Sequence, residues 1–173
     1  ILSFDKDTQL AQVQIGIEQL DVSGKTFEPA PLIEVPVYVY GGAFSVECQI
    51  NDGTEGLIIF SQRCIDGWND TGGVAKNPIM RFHDSSDAFF LPGMRSQPNK
   101  IPSFENDGIR IRNEDGTKYV WLKNNGDVEI SANNVSIIST TLTHNGVDIS
   151  SVHSHIGPDT APDGPISPTG VPI

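Results

Sequence analysis

The chain has 173 residues and carries 11 Lys+Arg against 22 Asp+Glu, a formal net charge of −11. That balance argues against a phosphate-binding surface, because nucleic-acid affinity rests on Lys and Arg neutralising phosphates, and no nucleic-acid partner is expected. There is no apolar run of about 18 residues to span a membrane as a helix, and Ile1–Asp5 lacks the basic region that opens a secretory signal.

Seventeen Gly and 12 Pro with few helical periodicities predict an all-β chain. Residues 10–17 place Val13, Ile15 and Ile17 on one face and Gln12, Gln14 and Gly16 on the other, the mark of a half-buried strand. Residues 32–40 read likewise, with Ile33, Val35, Val37 and Val39 on one face and Tyr38 and Tyr40 opposite. Pro36 inside that run predicts an edge position or a bulge. Phe44, Val46, Cys48 and Ile50 alternate again, Asn51-Asp52-Gly53 is a turn, and Gly56–Phe60 reads as a fully buried apolar strand. Ser61–Trp68 is expected to form one or two helical turns with Ser61 as N-cap. Several short strands, turn signals and one short helix suit an OB-type barrel over residues 1–95.

Cys48 and Cys64 are not in Cys-x-x-Cys spacing and read as buried, reduced thiols. Asp84-Ser85-Ser86-Asp87, preceded by His83, reads as a solvated loop, since isolated acid pairs are usually surface features. No phosphate-binding Gly-Lys loop, His-Glu-x-x-His helix or catalytic triad spacing is present, so no catalytic residue and no enzyme is expected.

Residues 96–107 contain Pro98 and Pro102 and read as a semi-rigid linker. From 108 to 150 the character changes. Short strands follow one another, separated by Asp115-Gly116, Asn125-Gly126 and Asn145-Gly146. Each strand carries one apolar pair at i and i+2: Ile109/Ile111, Val120/Leu122, Val128/Ile130, Val135/Ile137 and Val147/Ile149. A unit this small with one apolar pair per strand buries too little surface to close a core alone. Repeat units of this kind stack or oligomerise, and a homotrimeric β-prism or β-helix satisfies the pattern. An ordinary monomeric sandwich is the alternative.

Residues 151–173 are expected to form a metal-binding apex. If the chain stays extended past Ile149, His153 and His155 share parity with Val147 and Ile149 and point to the same face. Three chains would then bring six nitrogens to one axis, a set suited to an octahedral first-row metal rather than to four-coordinate zinc. The alternative is two histidines on an exposed hairpin. His144 has the opposite parity and is expected to be exposed.

The run Gly56–Trp68, followed by Arg81–Gly93, resembles the N-terminal barrel of the central spike proteins of contractile-tail bacteriophages. The β-extension, the His-x-His at 153–155 and the Gly/Pro tail resemble that family's membrane-piercing tip. The resemblance implies a homotrimer with an OB-fold collar, an intertwined triple-stranded β-helix and a pointed apex. It implies one iron ion per trimer, held by His153 and His155 of three chains. It also implies a tail-tip location in a virion assembled in the host cytoplasm, a hub or baseplate partner at the barrel, and mechanical piercing of the host outer membrane. The tail has five prolines after His155 and no long Gly-rich stretch, so its path departs from some relatives. No Lys or Arg follows Lys123, which leaves the tip without a polybasic means of binding anionic lipid. A receptor- or glycan-binding fibre tip, the spike of a bacterial secretion machine and an envelope hydrolase are the competing readings. Residues 156–173 contain no aromatic for the first, and no carboxylate pair can be placed at catalytic spacing for the last.

Overall fold

A computed structural model describes residues 1–149. Among them the chain is predominantly β. It divides into two units, Ile1–Phe104 and a second that starts at Glu105. Unit 1 contains β1 (Ser3–Asp5), β2 (Leu10–Val13), β3 (Gln19–Leu20), β4 (Thr26–Phe27), β5 (Leu32–Pro36), β6 (Tyr40–Gly41), β7 (Ser45–Val46) and β8 (Gly56–Phe60), then helix α1 (Asp66–Thr71) and β9 (Ala88–Pro92). Unit 2 contains β10 (Ile109–Arg112), β11 (Tyr119–Leu122), β12 (Val128–Ser131), β13 (Thr143–His144) and β14 (Val147–Asp148).

In unit 1, β1, β2 and β5 form an antiparallel sheet in that order, and β8 pairs with β9. Backbone hydrogen bonds join the two sheets. The Tyr38 N–H donates to the Phe90 carbonyl at 2.8 Å, the Gly53 N–H to the Ile1 carbonyl at 2.9 Å, and the Ile1 amino group to the Thr54 carbonyl at 2.9 Å. Between them lies a small core of Ala11, Val13, Leu32, Val35, Ala88 and Phe90, flanked by Ile1, Phe4, Ile15, Val37 and Ile58.

Several expectations for this unit need correction. The first strand stops at Val13, and Ile17 is exposed. The second runs only from Leu32 to Pro36 and does not alternate through Val39. It buries Leu32 and Val35 and leaves Ile33 exposed. The reason is a bulge. Ala11 pairs with Val35 and Val13 with Leu32, so one extra residue sits in β5, and Glu34 takes φ 55° to absorb it. The bulge reverses the parity of every residue beyond it. Of the Phe44–Ile50 alternation only Val46 lies in a strand, and Phe44 and Cys48 are exposed. Both cysteines are free, and neither is buried: Cys64 is half-buried. The helix begins at Asp66 with Ile65 at its N-cap, while Ser61 instead accepts the Arg63 N–H at 3.1 Å. Gly56–Phe60 forms a strand as expected, but Leu57, Ile59 and Phe60 are all exposed.

In unit 2, β10, β11 and β12 form an antiparallel sheet in sequence order. Two tight loops set its register. In the first, the Gly116 N–H donates to the Asn113 carbonyl at 3.1 Å, and in the second the Gly126 N–H donates to the Lys123 carbonyl at 3.0 Å. A two-residue turn joins β13 to β14, with Asn145 at φ 51° and Gly146 at φ 81°, the left-handed pair that an Asn-Gly hairpin adopts.

Candidate assembly surface

Side chains alternate across a strand, so the register of unit 2 decides which residues share a face. Ile109 pairs with Leu122, Ile111 with Val120, Val120 with Ile130, and Leu122 with Val128. The three apolar pairs read from the sequence therefore form one contiguous aliphatic face, two residues deep and three strands wide. It is bare. Fractional exposure runs from 47% at Leu122 to 70% at Ile111. Val135, Ile137, Val147 and Ile149, the other two pairs, are exposed as well.

The opposite face is closed on itself. Arg110 lies across from Trp121, and Trp121 from Glu129. The Arg110 guanidinium stacks 4.0 Å from the Tyr119 ring centroid and 5.0 Å from that of Trp121, and its Nη2 donates to the Gly116 carbonyl at 2.9 Å. Lys123 Nζ sits 4.7 Å from the Trp121 ring and also bonds the Glu129 carboxylate. The Tyr119 hydroxyl donates to the same carboxylate, and the Trp121 indole N–H to the Asp107 carbonyl. The Lys123 ammonium, then the Tyr119 hydroxyl, hold the Glu129 carboxyl below the ordinary range. Glu129 in turn raises Lys123 and Tyr119. The rings and charged groups of this face contact one another or nearby backbone, although the Arg110 Nε is buried without a hydrogen-bond partner, so this face holds the three strands together, and no described residue of unit 2 covers the aliphatic face.

Of the residues singled out in the sequence, His144 lies in β13 opposite Val147 and is exposed. His153 and His155 lie outside the described residues. The Asp84–Asp87 segment is a loop with Ser85 and Ser86 exposed, as expected, but Asp87 at its end is not solvated. Asp87 is 0% exposed. Arg81 grips it with two bonds, Nε to Oδ2 at 3.2 Å and Nη2 to Oδ1 at 2.7 Å, and reaches Asp66 Oδ1 at 2.9 Å. The Ile65 N–H also donates to Asp87 Oδ1 at 3.0 Å, which anchors the start of α1. The guanidinium, then the Ile65 N–H, hold the Asp87 carboxyl below its ordinary value, and the two carboxylates raise Arg81. Arg81 was not singled out in the sequence, and nothing local marks it. Its two acidic partners are 6 and 15 residues away.

Cys64, Asp66 and Asp87 place their ligand atoms within 4.8 Å of one another. Such a set is a cation site in outline. Here the Arg81 guanidinium already bonds both carboxylates and offsets one of their two charges, so the group reads as an ion-pair node that pins α1 to β9.

The sequence of unit 1 also has a match. Residues 1–93 match the family model described as the phage protein Gp138 N-terminal domain. The chain belongs to this family. It is a bacteriophage structural protein. No curated protein matches it. The match covers the unit that holds the Arg81–Asp87 node, and the aliphatic face of unit 2 lies beyond it.

Proposed function

We propose that this phage protein is the central spike of a contractile tail, a homotrimer that pierces the host outer membrane mechanically. The observation that carries the reading is the bare aliphatic face of β10–β12. Six Val, Leu and Ile side chains stand exposed on a sheet whose other face is occupied by its own stacked rings and charges. Soluble monomers seldom leave such a contiguous patch uncovered, and three copies facing one axis would bury all three patches together. Each strand repeats the same apolar step, as a stacked or intertwined β-structure requires.

The remaining parts of the proposal follow from the same picture. The circuit of hydrogen bonds linking β1, β2, β5, β9 and β8 back to Ile1 supports an OB-type barrel as the collar that meets the tail hub or baseplate. Pairing along three wound chains distributes an axial load over many backbone hydrogen bonds. His153 and His155 of three chains are read as holding one iron at the apex, which would clasp three ends that otherwise fray. The device is read as non-enzymatic.

The test joins native mass to elemental analysis of the purified full chain. A trimer with about one iron per three chains, the metal lost and the trimer kept on His153→Ala, is the expected result. A stable folded monomer overturns the spike reading, and one zinc per chain overturns the apex.

A further inference from the structure

Two hairpin loops of unit 2 contain Asn-Gly, at Asn125-Gly126 between β11 and β12 and at Asn145-Gly146 between β13 and β14. Glycine has no Cβ to shield its backbone nitrogen from the side-chain amide of a preceding asparagine, so the pair is chemically prone to cyclise. What holds the two groups decides whether it does.

At the first loop both are held. Asn125 Oδ1 accepts the Asp127 N–H at 3.0 Å, and its Nδ2 donates to Asp127 Oδ2 at 2.7 Å. The Gly126 N–H donates to the Lys123 carbonyl at 3.0 Å. Four residue pairs join β11 to β12, and the contacts of Tyr119 and Lys123 with Glu129 tie the same two strands.

The second loop lacks these restraints. Among the described residues the Gly146 N–H has no partner, and the Asn145 side chain has one contact, Nδ2 with His144 Nε2 at 3.3 Å. Two residue pairs close the hairpin, with the Ile149 N–H donating to the Leu142 carbonyl at 2.7 Å. None of its residues is buried. A hairpin this short, without buried side chains, opens at little cost. Opening matters because the closed turn keeps Asn145 left-handed at φ 51°, a conformation that turns the Gly146 nitrogen away from Cγ.

We propose that Asn145 is a site of spontaneous deamidation and acts as an irreversible timer on the β13–β14 hairpin. In the open hairpin the Gly146 nitrogen attacks Asn145 Cγ. The new N–Cγ bond closes a succinimide, the Cγ–Nδ2 bond breaks, and Nδ2 leaves as ammonia with the Gly146 proton. Water then opens the ring at either carbonyl, giving aspartate or isoaspartate, with no change of oxidation state. Isoaspartate carries the chain through Cγ and adds a backbone methylene to a turn whose length sets strand register. Either product places a carboxylate in the stretch 131–147, which contains no Asp, Glu, Lys or Arg. The hairpin therefore does not re-form as it was.

The experiment ages the full native chain at neutral pH and digests it under acidic conditions with a protease that cuts after glutamate. Cleavage after Glu129 puts the two Asn-Gly pairs on separate peptides, and mass spectrometry with fragmentation scores amide-to-acid conversion and isoaspartate at each. Conversion at Asn145 about tenfold or more faster than at Asn125 is expected. The same chain held in urea should convert both sites within about twofold of each other, because the restraints are then gone. Equal rates in the native chain, faster reaction at Asn125, or an equal preference for Asn145 in urea overturns the assignment. Hydrogen exchange of the isoaspartate form, separated by chromatography, tests the timer. The Ile149 amide should exchange about tenfold faster than in fresh protein while that of Val120 is unchanged, and an unchanged Ile149 rate overturns it.

Discussion

Val120 occupies the centre of the aliphatic face, with Ile111 on one side and Ile130 on the other. In the single chain it is already 48% exposed. Val120→Asp should therefore leave the fold of one chain nearly intact, because a half-exposed carboxylate on a strand stays hydrated. The trimer is affected far more. Completing the burial of Val120 is worth about half of the ~1.5–3 kcal/mol for a fully buried aliphatic side chain, so about 1 kcal/mol per chain is lost. Each buried carboxylate without a partner adds several kcal/mol more. Three copies at one axis sum to roughly 10 kcal/mol or more, about seven powers of ten in the association constant. Sedimentation at micromolar protein should show a monomer, with the far-ultraviolet dichroism of wild type. Val120→Ile should remain oligomeric. If Val120→Asp sediments as wild type does, the aliphatic face is not the assembly surface and the reasoning from unit 2 fails.

Removing one partner of the buried node in unit 1 should be costly. Asp87→Ala leaves the Ile65 N–H unpaired and the Arg81 guanidinium with Asp66 alone, and denaturant unfolding should show a loss of about 1–3 kcal/mol, with less lost when Arg81→Met is added. The Asp87 carboxyl sits below its ordinary value of 3.8. Its stabilising contribution is thus full above that pH and disappears as pH falls through the lowered value, which a series of melts below pH 5 will detect by its slope. Glu55 accepts the Ser96 N–H at 2.6 Å, the Ser96 hydroxyl at 2.9 Å and the Asn99 amide at 2.6 Å, and the Ser96 N–H, then Asn99, hold its carboxyl below 4.5. Below that lowered value, or in Glu55→Ala at any pH, amide exchange at Ser96 should accelerate while the core amides of Val13 and Val35 do not. Gly108 sits at φ 78°, and a Cβ there would strike the Leu122 carbonyl oxygen. Gly108→Ala should destabilise the β10–β11 pairing by more than ~1 kcal/mol, read as a lowered midpoint in thermal unfolding of unit 2.

Unit 2 was the legible half. Its strands pair without bulges, its Asn-Gly and Asp-Gly loops fix register locally, and period-2 alternation places Ile109, Ile111, Val120, Leu122, Val128 and Ile130 on one face. Unit 1 was legible as short strands but not in its parity. Glu34 adopts a left-handed conformation inside β5, and no residue type announces an inserted residue of that kind. The Ser61 cap failed because Asp87, 22 residues after Ile65, supplies the bond that fixes the helix start. The burial of Asp87 was hidden as well: Arg81, six residues earlier on the same loop, folds back onto it, and the Ile65 N–H reaches it from 22 residues away, and spacing along the chain does not encode those meetings.

The closed aromatic and cationic face of β10–β12 bears on the order of events during assembly. Its contacts join strands connected by short loops, so both hairpins can zip on the microsecond scale of local hairpin formation. In the proposed spike, chains would then meet as pre-shaped ribbons rather than as unstructured coils. Their collision frequency, not the search for strand register, would govern how fast a virion's worth of spikes accumulates.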